Sequence, residues 1–178
     1  MAFLLGCEKV GVDFPSKTVF DDLSLGVDEG DRIGVVGRNG DGKSTLLALL
    51  GGLLEPDRGR VIRTNGVSVG VLGQTDNLNG DDTVGCAVVG DRPEYEWAGD
   101  ARIRAIIAGI VGDIDWNAQV KTLSGGQRRR VDLARLLVGD WDVLMLDEPT
   151  NHLDVRAINW LAQHLKTRWR DGQGALLV

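Results

Sequence analysis

Arg32-Ile-Gly-Val-Val-Gly-Arg-Asn-Gly-Asp-Gly-Lys-Ser-Thr45, followed by Leu46-Leu-Ala-Leu-Leu50, is the stretch that decides the fold. Its apolar opening, residues 32–36, reads as a strand, and residues 46–50 read as the body of a helix. Between them, Gly37-xxxx-Gly42-Lys43-Ser44 has the spacing of a phosphate-binding loop. Glycines are required there because successive backbone N–H groups must converge on phosphate oxygens without Cβ obstruction, while the following helix points its positive end at the same anion. In such a loop Lys43 reaches the β- and γ-phosphates and Ser44 ligates Mg²⁺, with Arg38, Asn39, Gly40, Asp41 and Thr45 completing the lining. A glycine turn can arise by chance in a chain with 25 glycines. Strand before and helix after separate this one from that background. Asp41 is the unusual member: a carboxylate aimed at a polyphosphate would repel it, so the expectation is that Asp41 faces solvent or pairs with a neighbouring cation.

Upstream, residues 2–12 and 18–27 read as strands with Phe14-Pro-Ser-Lys17 as the turn between them, an antiparallel lead-in. Downstream, Gly51-Gly52 ends the helix, and residues 60–63 and 67–72 are further strand candidates, with Gln74 just beyond. From Thr75 the character changes. Asp81-Asp-Thr83 suits a helix start, and Ile103, Ile106, Ile107 and Ile110 recur at helical spacing. Leu123-Ser-Gly-Gly-Gln127 opens a helix to about Leu137, with Val131, Ala134 and Leu137 at three-residue steps. A strand over 142–146 follows, then a helix from Val155 to Arg168 with Val155, Ile158, Ala162 and Leu165 on one face, and Ala175–Val178 reads as a buried strand. A chain of 178 residues that is 43% hydrophobic can bury one core. The expected division is a core of residues 1–74 and 141–178 around a small helical subdomain, 75–140.

The run Val143-Leu-Met-Leu146 is continuous and apolar, as in a central parallel strand buried on both faces. Asp147 at its carboxyl end would hold Mg²⁺, and Glu148 would polarise the attacking water as general base. An Asp-Glu pair can simply end a surface strand, but a phosphate loop upstream makes the chemical reading the stronger one. Ser124-Gly-Gly126 at a helix start is a second anion site. A chain with one triphosphate already has its loop, so the natural target is a second nucleotide.

Leu123-Ser-Gly-Gly-Gln127 resembles the signature motif of ATP-binding cassette (ABC) proteins, and the resemblance extends over nearly the whole chain. It implies an α/β P-loop NTPase fold, the ABC ATPase, with a RecA-like parallel core sheet. It also implies ATP and Mg²⁺ as cofactors and ATP hydrolysis as the activity. In that family Ser124, Gly125, Gly126 and Gln127 would complete a site on the opposing cassette of a head-to-tail dimer. Phe14 falls where an aromatic stacks on adenine, and Gln74 matches the glutamine that touches Mg²⁺ and the attacking water. Asp154 matches an aspartate that reaches across the dimer.

Within the family, Glu148-Pro-Thr-Asn-His-Leu-Asp154 is similar to the ABC-F group, soluble proteins with two tandem cassettes, whereas transporter ATPases carry a Ser-Ala-Leu-Asp type sequence there. The segment 32–40 is also similar to the first cassette of Uup-like members. The resemblance implies a nucleotide-gated clamp with a second cassette as partner, the ribosome as one candidate target, and a cytoplasmic location. Alternatives are the ATP-binding subunit of a membrane transporter, and a nucleotide-binding fragment with little hydrolysis alone. Residues 75–122 leave little room for the long helical arm of many ABC-F first cassettes. A family histidine expected shortly after Val178 and a second cassette lie outside the sequence, so truncation at the C-terminus is the expectation.

Net charge −6 argues against a protein that binds nucleic acid through a uniformly basic surface. No apolar run approaches the length of a membrane span, and none resembles a leader. Cys7 and Cys86 form no ligand or disulfide pattern and are expected to be small buried hydrophobes. His164 is expected mid-helix and facing solvent. Arg128-Arg-Arg130 invites a ribosomal-RNA reading, against which a charged helix face is the plainer account. The five tryptophans form no stripe and are expected to pack.

Overall fold

The computed structural model describes residues 2–169 and 173–178. Two compact units divide it: residues 1–74, 141–147 and 169–178 form the first, and residues 75–140 and 148–168 form the second.

In the first unit, β1 (Phe3–Phe14) and β2 (Lys17–Asp28) form an antiparallel hairpin closed by Pro15-Ser16, with Phe14 opposite Lys17. β4 (Arg58–Arg63) pairs with the other edge of β1, so the order is β2-β1-β4. The second sheet is parallel, in the order β3-β7-β6-β5, from β3 (Arg32–Ile33), β5 (Val69–Leu72), β6 (Val143–Leu146) and β7 (Ala175–Leu177). All four residues of β6 are fully buried, which is why its sequence shows no polar alternation. β3 is shorter than the expected 32–36 because it is an edge strand whose ladder lasts only along β7; beyond it Val35 N–H still bonds Val178 O, while Val36 is 94% exposed.

α1 (Lys43–Leu50) starts at the loop lysine, three residues earlier than its leucines indicate. Its Leu47, Leu49 and Leu50 join Leu5, Val10 and Val12 of β1 and Val143 and Met145 of β6 in one core. Each such leucine contributes roughly 1.5–3 kcal/mol by leaving water. Because the second sheet is parallel, the segments after β3, β5 and β6 all emerge at its carboxyl edge, where open α/β sheets hold ligands.

In the second unit, α2 (Val84–Val89) begins where expected, with Thr83 Oγ1 accepting the Cys86 N–H. α3 (Glu94–Trp97) is a single turn, and α4 (Ala101–Ile106), capped by Asp100, runs into a π-helical turn at Ile107–Val111. α5 (Gly125–Val138) buries Val131, Ala134 and Leu137 completely, as its spacing predicts. α6 (Val155–Thr167) departs from expectation. Val155 is 72% exposed and Ala162 is exposed, while Ala157 and Leu161 are buried. The reason is Gly109: a Cβ there would lie 2.4 Å from the Trp160 ring, so the bare backbone of the π-helical turn accepts that indole and rotates the helix to it. Residues 148–168 fall in the same compact unit as the helices of residues 75–140.

The remaining indoles also pack rather than stand free. Trp116 lies on Gly85 and tilts against Trp97, Trp141 lies on Gly70, and Trp169 lies on Gly174 with Arg32 over its ring. His164 is half-buried and stacked on Trp160 at 4.9 Å, not solvent-facing; burial, then Arg168 and Arg102, push its imidazole down to about 4. Cys7 is buried as expected, but Cys86 is only partly so, and its thiol lies 3.6 Å from Asp91 Oδ1. Among the described residues no helix is long and apolar enough to cross a membrane.

Candidate nucleotide-binding site

The first unit carries Phe14, residues 37–45, Gln74 and Asp147. At Gly42 the loop turns into α1 with φ +103, a conformation that β-carbon sterics make costly for other residues. A Cβ at Gly42 would lie 2.5 Å from Val19 Cγ1, so β2 also excludes a side chain. No side chain caps α1, and its first turn has no acidic residue. The first N–H groups of a helix have no intrahelical acceptor, and here no capping group competes for them. That arrangement fits the phosphates of ATP on this chain's own geometry.

Lys43 Nζ folds back to donate to Gly37 O (2.9 Å) and Arg38 O (3.1 Å). Asp41 is exposed, as expected, but its partner is not a cation: Oδ2 accepts the Arg38 N–H at 2.8 Å, and Asp41 N–H returns a bond to Arg38 O. The carboxylate is thus turned into the loop's own backbone. Asn39 and Gly40 form the exposed tip, and Thr45 lies in the first turn of α1.

Gln74, two residues past β5, donates from Nε2 to Ser44 Oγ at 2.9 Å, which joins two of the expected Mg²⁺ ligands. Asp147 is 5% exposed, and its N–H bonds Leu72 O on β5. β5 and β6 run parallel with Leu72 opposite Leu146, so Gln74 and Asp147 leave neighbouring strands at one edge. A hydroxyl, an amide oxygen and a carboxylate are hard oxygen donors suited to Mg²⁺. Phe14 is 45% exposed at the hairpin tip. Sequence reasoning missed Lys17, whose Nζ donates to Gly40 O at 3.1 Å, and the Val19–Phe20 floor under Gly42. Contacts across more than twenty residues leave no local pattern to read.

The second unit carries Ser124–Gln127, Glu148 and Asp154. Ser124 is the N-cap of α5 in a capping box: Gln127 N–H donates to its Oγ (3.3 Å) and Ser124 N–H to Gln127 Oε1 (2.9 Å). Gly125 is exposed, with open space where a Cβ would stand. Arg128 and Arg130 of the basic run behind it are engaged within the unit. Arg128 pairs with Asp76, and Arg130 grips Asp113 with both nitrogens (2.6 and 2.9 Å). Each guanidinium holds its carboxyl partner below the usual range. Glu148 is exposed with φ +47, and Asn151 Nδ2 donates to its Oε2 at 2.7 Å. Asp154 caps α6 by accepting the Ala157 N–H at 2.8 Å.

Against known proteins, residues 20–151 match the ABC transporter family. The chain is 34% identical to the energy-dependent translational throttle protein EttA of Mycobacterium tuberculosis, over 92% of this chain and 36% of that protein. It is 35% identical to the zinc import ATP-binding protein ZnuC 2 of Hahella chejuensis, over 98% of this chain and 70% of that protein. It spans about a third of the length of the EttA proteins it matches. In fold it is similar to a solved ATP binding subunit of an ABC transporter, at a TM-score of 0.78 and 23% identity, covering 98% of this chain and 78% of that one. The phosphate loop at the carboxyl edge of a parallel sheet, the antiparallel sheet and the family match lead to one conclusion: the chain belongs to the ABC transporter family, as an ATP-binding cassette of the P-loop NTPase fold.

Proposed function

We propose that this cassette binds and hydrolyses ATP as part of a cytoplasmic ABC-F protein, a nucleotide-gated clamp that closes with a second cassette. The observation that most supports the ABC-F reading is Asn151-His-Leu-Asp154, in a chain 34% identical to a protein named for throttling translation. By the same token the ribosome is the proposed target.

In this reading Phe14 stacks on adenine, and the loop 37–45 with Lys43 holds the phosphates. Ser44, Gln74 and Asp147 are the residues that would hold Mg²⁺, an ion that neutralises charge on the β- and γ-phosphate oxygens when bound. Glu148 accepts a proton from water as its oxygen attacks the γ-phosphorus, the bond to the bridging oxygen breaks, and ADP and phosphate result. Ser124–Gln127 and Asp154 act on the nucleotide held by the facing cassette. Glu148→Gln in the intact protein is expected to lower phosphate release by about 10²–10⁴-fold and to trap the ATP-bound, closed form. Undiminished turnover would remove Glu148 from this role.

A second reading, the ATP-binding subunit of a membrane transporter, is supported by the 35% identity to a zinc import ATP-binding protein over 70% of its length. Tagged protein that sediments with ribosomes supports the first reading. Sedimentation with membranes supports the second.

A further inference from the structure

Asn151 lies three residues beyond Glu148, and the backbone between them is folded so that their side chains meet. Glu148 has φ +47 and His152 has φ +67, both in the left-handed region that residues with a β-carbon enter only at a cost. Two backbone bonds, Asn151 N–H to Glu148 O and Leu153 N–H to Thr150 O, each 3.2 Å, bend residues 148–153 into two overlapping turns. Pro149 is buried at the start of this bend, and Asp154 ends it as the cap of α6. A rigid brace at both ends thus fixes where Asn151 sits. Its amide reaches Glu148 Oε2 at 2.7 Å, a short contact of the kind expected when the acceptor is a carboxylate.

Glu148 is otherwise an exposed side chain just past a strand end. A general base must hold one oxygen toward the proton it takes, and a carboxylate that swings through several rotamers does so only part of the time. We propose that Asn151 is the positioning residue for Glu148: its N–H pins Oε2 and fixes the carboxylate plane, leaving Oε1 to accept the proton of the attacking water. This rests on the reading of Glu148 as the general base. The side-chain type suits the task. A carboxamide donates without carrying charge, so it orients the base without neutralising it as an ammonium would. An aspartate of the same shape would instead present a second carboxylate to Glu148. On this account the residue that marks the Asn-His-Leu-Asp lineage also orients the base.

The test is ATP hydrolysis by the intact protein, under steady-state and single-turnover conditions, for wild type, Glu148→Gln, Asn151→Ala, Asn151→Asp and Asn151→Gln. Asn151→Ala is expected to lower kcat by about 10–100-fold, the scale of a misplaced catalytic group, with KM for ATP within about twofold of wild type. Asn151→Asp should fall further, and Asn151→Gln should recover part of the loss because it restores the donor. Thermal midpoints and ATP affinity of each variant show that the fold and the phosphate loop are intact. The inference is overturned if Asn151→Ala and Asn151→Asp keep wild-type kcat while Glu148→Gln is inactive, which leaves the general-base reading standing. It is also overturned if KM and stability change in step with kcat, the pattern of a merely structural turn. Wild-type turnover in Glu148→Gln would bring down the general-base reading itself, and this inference with it.

Discussion

Gly42→Ala isolates the two constraints that shape the phosphate loop. The first is conformational: at φ +103 and ψ +11 the residue lies beyond the small left-handed well open to L-residues, and alanine there costs about 1–2 kcal/mol. The second is steric. The new Cβ would stand 2.5 Å from Val19 Cγ1 and 3.1 Å from Phe20 Cζ, where carbon atoms normally keep about 3.5–4.0 Å. Displacing two partly buried side chains of β2 adds about 1–3 kcal/mol. The combined cost of about 2–5 kcal/mol corresponds to a fall in Tm of roughly 4–20 °C for a chain of this size. Urea and thermal unfolding followed by tryptophan fluorescence measure it. The two parts separate in a double-mutant cycle with Val19→Ala, which removes the closer collision and leaves the dihedral cost with the milder contact to Phe20. The pair should couple favourably by about 1–3 kcal/mol, with about 1–2 kcal/mol of the Gly42 penalty remaining. A Gly42→Ala variant within about 0.5 kcal/mol of wild type, or a cycle with no coupling, would refute the geometry assigned to this turn.

His164 sets a second expectation. Its imidazole is held at about 4 in the folded chain, against about 6.5 when unfolded. The unfolded state therefore binds a proton that the folded state refuses, so this contribution to stability is fully present above about pH 6.5 and is lost as pH falls toward 4. His164→Phe keeps a ring on Trp160 and should flatten the decline of the urea midpoint across that window. An unchanged slope would count against the burial of the imidazole. Asp41→Ala should change ATP affinity by less than about tenfold, because the carboxylate is already turned to the Arg38 N–H: losing that bond, worth about 1 kcal/mol, and removing a like charge act in opposite directions. Titration with a fluorescent ATP analogue decides it, and a larger change means that the carboxylate faces the phosphates.

Much of the fold was legible because its signals are local. The phosphate loop needs glycines at fixed offsets between a strand and a helix, β6 needs an unbroken apolar run, and α5 opens at Ser124-Gly-Gly-Gln127 with apolar residues at helical steps behind it. The residues expected in the site fall at strand ends, loop and helix starts for the same reason. What failed were inferences about which face is buried. Of the apolar set Val155, Ile158, Ala162 and Leu165, Val155 and Ala162 are exposed and the other two half-buried, while Ala157 and Leu161 are buried and the slot at Gly109 accepts Trp160. His164 moved from solvent to a stacked, half-buried place with the same rotation.

By itself the sequence determined that this chain is an ATP-binding cassette, since the loop spacing, the apolar strand and the Ser-Gly-Gly helix start are each written within a dozen residues. Only the tertiary structure decided how those residues are held. Asp41 turns onto Arg38, Gln74 meets Ser44, Lys17 reaches the loop tip at Gly40, Val19 closes the space beneath Gly42, and Asn151 grips Glu148. Each depends on strand register, a left-handed dihedral or the approach of two surfaces. Such quantities are set by packing many residues at once, and no single stretch of sequence records them.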